Sequence, residues 1–524
     1  MWLNAGCRMS NSSRPESRRG REAGPRLSII LFCSFSGLLA LFCLVRGASG
    51  QALDVRIKVV SASPARVRVE GRREGGAAAW SFLNFYGSAS GLAERVEKLS
   101  LSDEGGAEVA VKKIAPGEFT AAGPASRFSY EMRLDPPAFV SDSSHVSWLT
   151  ADRGLLMLGD LLPLPVSNAR VELSLPPGWS ASTAEEKSAA GAFNVADAGR
   201  AVFAVGRDLR ERRGRAGSVS FTLAAAGDWA FSDEEAADSV EEILKLHQET
   251  AGGAPPGRPL LVLLPLPQHG AAGNLWNAET RGSTVVLLSG RLPSKPAARA
   301  QLDGALTHEL FHLWVPNGLG LGGEYGWFYE GFTNYVAVRA AVRRGQLRFD
   351  DYLNALGRAY DSYRAARGAK EVSLEEASQR RWSGGSALVY HKGMLVAFLY
   401  DLTLMRQTGG RSSLGEVYRG LFRRYGRGER REDGGRAVIE ALAGAGQMRG
   451  FVERYVEGAS EVTLPALLGP LGLEVKPGGA RTHVGVADAA DSSQRELLRK
   501  LGYNAGPDAE SRKLHERLRK GAPR

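Results

Sequence analysis

The sequence predicts a multidomain α+β protein, with an N-terminal β-sandwich-like domain followed by a mainly α domain that carries the chemistry. Three observations predict it. The chain has 524 residues, more than one ordinary domain holds, and 43% of them are hydrophobic, enough for large cores. Up to about residue 225 the apolar residues recur with period two. Beyond Pro296 they recur at helical spacing.

Residues 1–50 read as a targeting segment. They hold seven Arg against two Glu, and the basic stretch RPESRRGREAGPR precedes the apolar run Leu27–Val45. RGASGQA follows, where Ala48 and Gly50 are small enough for signal-peptidase cleavage. The run is also long enough to remain as an uncleaved membrane anchor. The expected location is therefore outside the cytoplasm: periplasmic, extracellular or membrane-anchored. All three cysteines, Cys7, Cys33 and Cys43, lie in this segment. The exported part would have neither a disulfide nor a cysteine metal ligand. Residues 491–524 hold nine Lys or Arg against five acids, so all but about one unit of the +10 charge lies at the two ends. The body between them is near neutral and shows no basic patch interleaved with aromatics, which excludes nucleic acid as a partner.

A β domain is expected over 51–225. DVRIKVV, ARVRVEG, ARVELSLPPGW and GSVSFTLAAAG alternate apolar with polar residues between Pro, Gly, Asp and Ser clusters. The second domain is expected over 226–462. It opens on DEEAADSVEEILKLHQETAG, whose acidic first turn suits a helix N-terminus. PLLVLLPLP and STVVLLSG read as strands. The main helices are AARAQLDGALTHELFHLWV, GWFYEGFTNYVAVRAAVRRG, FDDYLNALGRAYDSYRAARG and GSALVYHKGMLVAFLYDLTLMRQTGG, with two more before about residue 460. Residues 463–524 form a short C-terminal extension that reads largely as a charged helix.

THELFHLW places His308 and His312 four apart, with Glu309 after the first. On a helix, residues four apart share a face, so both imidazoles can reach one metal ion. Glu309 sits to the side, where it can reach a water on that metal without being a ligand. A bound zinc brings the pKa of its water toward neutrality, and the glutamate takes the proton as general base. The bland alternative is two satisfied core histidines on a buried helix. A catalytic zinc needs a third ligand and an open position. WFYEGFTNY supplies Glu330, eighteen residues after His312, as the acid in an aromatic and apolar helix start. An acid favoured by the helix dipole is its competing reading. Asn334, one turn on, would brace a ligand by hydrogen bonding, or else lie on a solvated face. Two His, one Glu and an open position favour zinc, one ion per chain.

H-E-x-x-H followed by a helix with E-G-F-T is the gluzincin pattern of thermolysin-like and aminopeptidase families. The fuller run HELFHLW, EGFTNYVAVRA and VYHKGMLVAFLYDL resembles the M61, glycyl aminopeptidase, family. The resemblance spans about residues 120 to 475 and is tightest between 275 and 425. It implies a β domain ahead of a thermolysin-like (gluzincin) catalytic domain, in agreement with the period-two then helical reading. It also implies two further roles. Tyr390 opens YHKG, similar to the Y-x-K-G of related aminopeptidases, where the hydroxyl stabilises an oxyanion; a Tyr packed at a helix start is the alternative. WNAETRGSTVVLLSG resembles a G-L-E-H-x-x-S-T segment leading into an edge strand along the substrate cleft. On that match Glu279 would hold a substrate's free amine, or else be a surface acid in a loop. Asn277 and Ala278 replace the Gly-Leu pair, and Thr280 stands where His is expected. His391 is assigned no role. Family members often continue into a PDZ domain, and residues 463–524 are too few for a complete one.

The expected function is an exported zinc metallopeptidase, an aminopeptidase on short peptides. Peptide substrates are its expected partners, and Leu27–Val45 is the candidate membrane anchor. The alternatives are an endopeptidase with the same zinc site and a catalytically weak peptide-binding member of the family.

Overall fold

The computed structural model describes residues 52–504 apart from 269, 367, 369, 427–431 and 477–480. The targeting segment, with Leu27–Val45, and the far half of the expected C-terminal helix lie outside the described residues. No helix among the described residues is long and apolar enough to cross a membrane.

Alternation in the sequence becomes alternation in space. In β1 (Leu53–Ala62), Leu53, Val55, Ile57 and Val59 are buried and the residues between them exposed. It runs antiparallel to β2 (Ala65–Ser81), with Ile57 opposite Val69. β2 in turn pairs with β3 (Glu118–Arg133), Val69 opposite Tyr130. These strands and the parallel strand Ala169–Ser174 lie in a nine-stranded sheet. A four-stranded sheet with β4 (Arg153–Met157) and β5 (Val202–Gly206) packs against it. Leu156, Phe203 and Val205 share one core with Val55 and Ile57, which makes the expected sandwich.

The other face of that four-stranded sheet is apolar too. Leu155, Met157, Val202 and Ala204 pack on a five-stranded sheet through Leu260, Val262, Leu264, Val286 and Leu288. This third sheet runs in the order β6 (Arg210–Ala216), β7 (Val219–Ala225), β8 (Leu260–Pro265), then β10, with β9 at the edge. β9 is Trp276–Arg281 and β10 is Thr284–Ser289. Leu261, Leu263, Val285 and Leu287 point from the same strands into the helical core. Burial on both faces explains why PLLVLLPLP and STVVLLSG are continuous apolar runs.

Two expectations change here. GSVSFTLAAAG, expected among the N-terminal strands, is β7, and it pairs in parallel with β8 of the third sheet, Leu223 opposite Leu261. STVVLLSG, expected to be an edge strand, is β10, flanked by β8 on one side and β9 on the other. An exposed edge beside a cleft would not bury all six residues of a strand, as β10 does.

The helices cover the far side of the third sheet. α1 (Asp233–Ala251) is held at its start by a capping box. Glu235 N–H donates to Ser232 Oγ at 3.1 Å, and Ser232 N–H donates to the Glu235 carboxylate at 2.9 Å. α2 (Lys295–Glu309), α3 (Thr333–Arg343) and α4 (Gly393–Gln407) follow. In the C-terminal extension, expected as mostly helix, a hairpin of Leu473–Lys476 with His483–Val486 precedes a helix over Ser492–Arg499. Leu473, Val484, Leu497 and Leu498 join the helical core, so burial decides that conformation.

Candidate active site

α2 ends in the H-E-x-x-H run. His308 and Glu309 close the α-helix, and His312 lies in the 3-10 turn Leu310–Leu313 that continues it. Leu306, Leu310, Phe311 and Leu313 anchor this stretch in the core and leave the polar side chains on the opposite side. The buried His247 of α1 donates from Nε2 to the Thr307 carbonyl at 2.9 Å, and Phe311 and Trp314 pack around its ring.

The two imidazoles of the motif converge. His308 Nε2 and His312 Nε2 are 3.1 Å apart, with the rings nearly perpendicular at 85°. The Val315 carbonyl, 2.9 Å from His312 Nδ1, fixes that ring with Nε2 inward. Glu330 completes the set: its Oε2 lies 3.3 Å from His308 Nε2 and 3.6 Å from His312 Nε2. Zinc–ligand bonds of 2.0–2.2 Å in a tetrahedron place ligand atoms roughly 3.4 Å apart. Separations of 3.1, 3.3 and 3.6 Å fit that ion. Burial opposes ionisation of Glu330, but Arg381 and the two histidines hold its carboxyl well below the usual carboxylate range. A buried anion between two imidazoles is the donor set of a divalent cation, and satisfied core histidines would not need it.

Glu309 is buried beside this trio, and its carboxylate shares a cluster with the imidazole nitrogens. The Thr280 hydroxyl lies 2.9 Å from Glu309 Oε2 and 2.8 Å from the Glu309 carbonyl. Thr280 therefore ties the base to strand β9.

Glu330 and Tyr390 each sit on a π turn, Trp327–Phe332 before α3 and Leu388–Lys392 before α4. Such wide turns re-aim a side chain within a helix and gather at functional sites. Glycine lets these two touch. A Cβ on Gly331 would stand 2.4 Å from the Val389 carbonyl oxygen and 2.6 Å from Gly393 Cα. Tyr390 is half-buried. Burial first, and then the Glu330 carboxylate, hold its phenol well above the usual tyrosine value, so the hydroxyl keeps its proton.

Glu279 lies on a strand and not in a loop. On β9, Trp276, Ala278 and Thr280 turn toward the helices, and Asn277, Glu279 and Arg281 toward the N-terminal layers. Its Oε1 accepts from Tyr86 Oη at 2.5 Å, and its Oε2 lies 2.9 Å from His145 Nδ1 and 3.1 Å from Arg281 Nε. Burial opposes the charge, yet Arg281 and then His145 bring the Glu279 carboxyl down to about 2.

Asn334 is half-buried, and among the described residues it makes no hydrogen bond to His308, His312 or Glu330. The brace comes from Arg381, whose Nη2 is 3.0 Å from Glu330 Oε1 and whose Nη1 donates to Tyr329 Oη at 2.8 Å. Arg381, Thr280, Tyr86 and His145 carry no spacing signal in the sequence, because each reaches the site from a separate part of the chain.

H-E-x-x-H at the end of one helix, with Glu330 of the next turned toward both imidazoles, is the arrangement in which zinc metallopeptidases hold their ion. The profile of the M61 glycyl aminopeptidase family matches residues 322–396, a stretch that includes Glu330 and Tyr390, and over it the chain is similar to that family. No curated protein sequence matches the chain. Among solved structures, an aminopeptidase N family protein from Idiomarina loihiensis superposes with a TM-score of 0.69 at 17% identity, covering 82% of this chain and 79% of that one. The M1 zinc metallopeptidase from Deinococcus radiodurans gives 0.51 at 17% identity, covering 79% of this chain and 95% of that one. A mutant of the latter, solved with a Tyr-Ser-Ala substrate, gives 0.51 at 14% identity over the same shares. At these identities the likeness is one of fold.

Proposed function

We propose that the protein is an exported aminopeptidase that removes single residues from short peptides, with one zinc ion per chain. His308, His312 and Glu330 would hold the ion, which supplies Lewis acidity at the scissile carbonyl. Among the described residues the outer edge of β9 carries no strand, so an extended peptide can add there by backbone pairing. Glu309, oriented by Thr280, takes a proton from the attacking water and passes it to the leaving amine. Tyr390, with its proton retained, donates to the oxygen on which negative charge develops.

The observation that favours an aminopeptidase is the position of Glu279, next to Thr280 on the edge strand. One strand residue spans about 3.3 Å. That spacing is measured along β9, since Glu279 and Thr280 leave the strand on opposite faces, and it puts the carboxylate about one residue from the base's hydrogen-bond donor. Oε2 already meets two donors and Oε1 one, so a lone pair on Oε1 is left for an ammonium.

The test uses zinc-loaded protein on free-amine and amine-blocked peptides with Gly, Ala or larger first residues. Cleavage of the free-amine set alone is expected, falling by roughly 10²–10⁴-fold in Glu309→Gln. Cleavage of both sets would make the enzyme an endopeptidase. No cleavage by a zinc-bound protein would make it a peptide-binding one.

Export rests on the Arg-rich start, the run Leu27–Val45 and the small residues Ala48 and Gly50. N-terminal sequencing of protein from outside the cytoplasm should begin near Gln51. An intact N-terminus in the membrane fraction would make the same run an anchor, and recovery from the cytoplasm alone would refute export.

A further inference from the structure

Trp382 is 53% exposed, and the core does not require it there. Its ring is nevertheless held. The Arg381 guanidinium packs 4.5 Å from the ring centroid, and the ring edge stands within a methyl group's reach of Gly87: a Cβ built on that glycine would be 3.6 Å from Cη2 and Cζ3, an ordinary contact. Gly87 turns the short hairpin 85–90 of the N-terminal layers at φ +58°, a left-handed conformation that favours glycine, and glycine puts no side chain between the turn and the ring.

The neighbours of these two residues are committed to the site from opposite directions. Tyr86 precedes Gly87, donates to Glu279, and has the Arg281 guanidinium 4.0 Å from its ring centroid. Arg381 precedes Trp382, pairs with Glu330 and lies 6.0 Å from the Tyr390 ring centroid. The succession Glu279, Tyr86, Gly87, Trp382, Arg381, Glu330 therefore crosses from the strand side of the cleft to the metal side, with a methyl-sized gap at Gly87.

We infer that the close approach of Trp382 to Gly87 is a clasp that ends the cleft beyond the first substrate residue, making Trp382 a specificity-determining residue. Building on the aminopeptidase reading above, it gives that reading a steric half. Glu279 favours a free ammonium by charge, and the clasp obstructs any chain that would continue past it. The exposed indole face also offers an apolar wall to the first side chain, so large apolar first residues are preferred to glycine.

The experiment compares the full zinc-loaded protein with Trp382→Ala and Trp382→Phe on matched peptides: free-amine and acetylated, with Leu or Gly first. Zinc content and thermal midpoint are followed in parallel, and the exposed position leaves both unchanged. Opening the clasp with Ala should raise kcat/KM for acetylated relative to free-amine peptides by roughly tenfold or more, and lower the Leu over Gly preference. Phe should retain most of both. An unchanged acetylated to free-amine ratio in Trp382→Ala, with the wild type selective for free amines, would overturn the clasp and leave the aminopeptidase reading standing. A wild type that cleaves both peptides equally would instead remove the reading on which the clasp rests.

Discussion

Tyr390 keeps its proton because of where its ring is placed. Burial disfavours the phenolate, and the adjacent Glu330 carboxylate disfavours it further. A phenol that stays protonated donates more strongly to an oxygen as that oxygen gains charge, and that difference lowers the barrier. Tyr390→Phe should therefore cut kcat by roughly 10²–10³-fold, with KM and zinc content little changed. An unaltered kcat would remove Tyr390 from the machinery. The sequence exposed this residue through YHKG, and His308, Glu309, His312 and Glu330 through their spacing. It could not expose Thr280 as the partner of Glu309, since a threonine on a strand has many uses and only proximity selects one. Arg381 was hidden for the same reason. Asn334, a turn from Glu330 on the same helix, is the brace that sequence separation suggests, beside the equal reading of a solvated face.

At the scale of elements, period was informative where one face of a strand or helix is wet. β1 alternates because its sheet has a core side and a solvent side. β8 and β10 do not alternate, and a continuous apolar run reveals burial without revealing sheet order. The family resemblance implies an edge strand at STVVLLSG, and the edge belongs to the more polar WNAETR of β9. That exchange bears on function, since it moves Glu279 and Thr280 onto the strand beside which a peptide can lie. The π turns were illegible as well. Each inserts one residue's worth of extra winding into a helix that pattern alone reads as regular. Their trace in the sequence is the pair Gly331 and Gly393, the residues next to or near Glu330 and Tyr390, where a side chain on either would collide with the other turn.

At the scale of the molecule, the β-then-α order was legible and the layering was not. The four-stranded sheet with β4 and β5 is shared between two cores, alternate residues of one strand serving different layers: Leu156 faces the nine-stranded sheet, Leu155 and Met157 the five-stranded one. β7 adds a covalent and hydrogen-bonded tie, because it precedes the helical part in sequence and pairs with β8 within it. We therefore expect the boundary near residue 225 not to mark a separable unit. A chain starting at Gly227 would lose β6 and β7, leave the β8 edge unpaired, and expose Leu260, Val262, Leu264, Val286 and Leu288 together. Five uncovered aliphatic side chains at about 1.5–3 kcal/mol each are comparable to the whole margin by which domains are stable. Such a chain should be insoluble or aggregated on size exclusion and bind no stoichiometric zinc, whereas one starting near Gln51 should be a folded zinc protein. A soluble, zinc-binding product from the shorter chain would show that the helical layer and its sheet fold alone. The N-terminal layers would then serve the cleft through Tyr86, Gly87 and His145, and not the stability of the metal site.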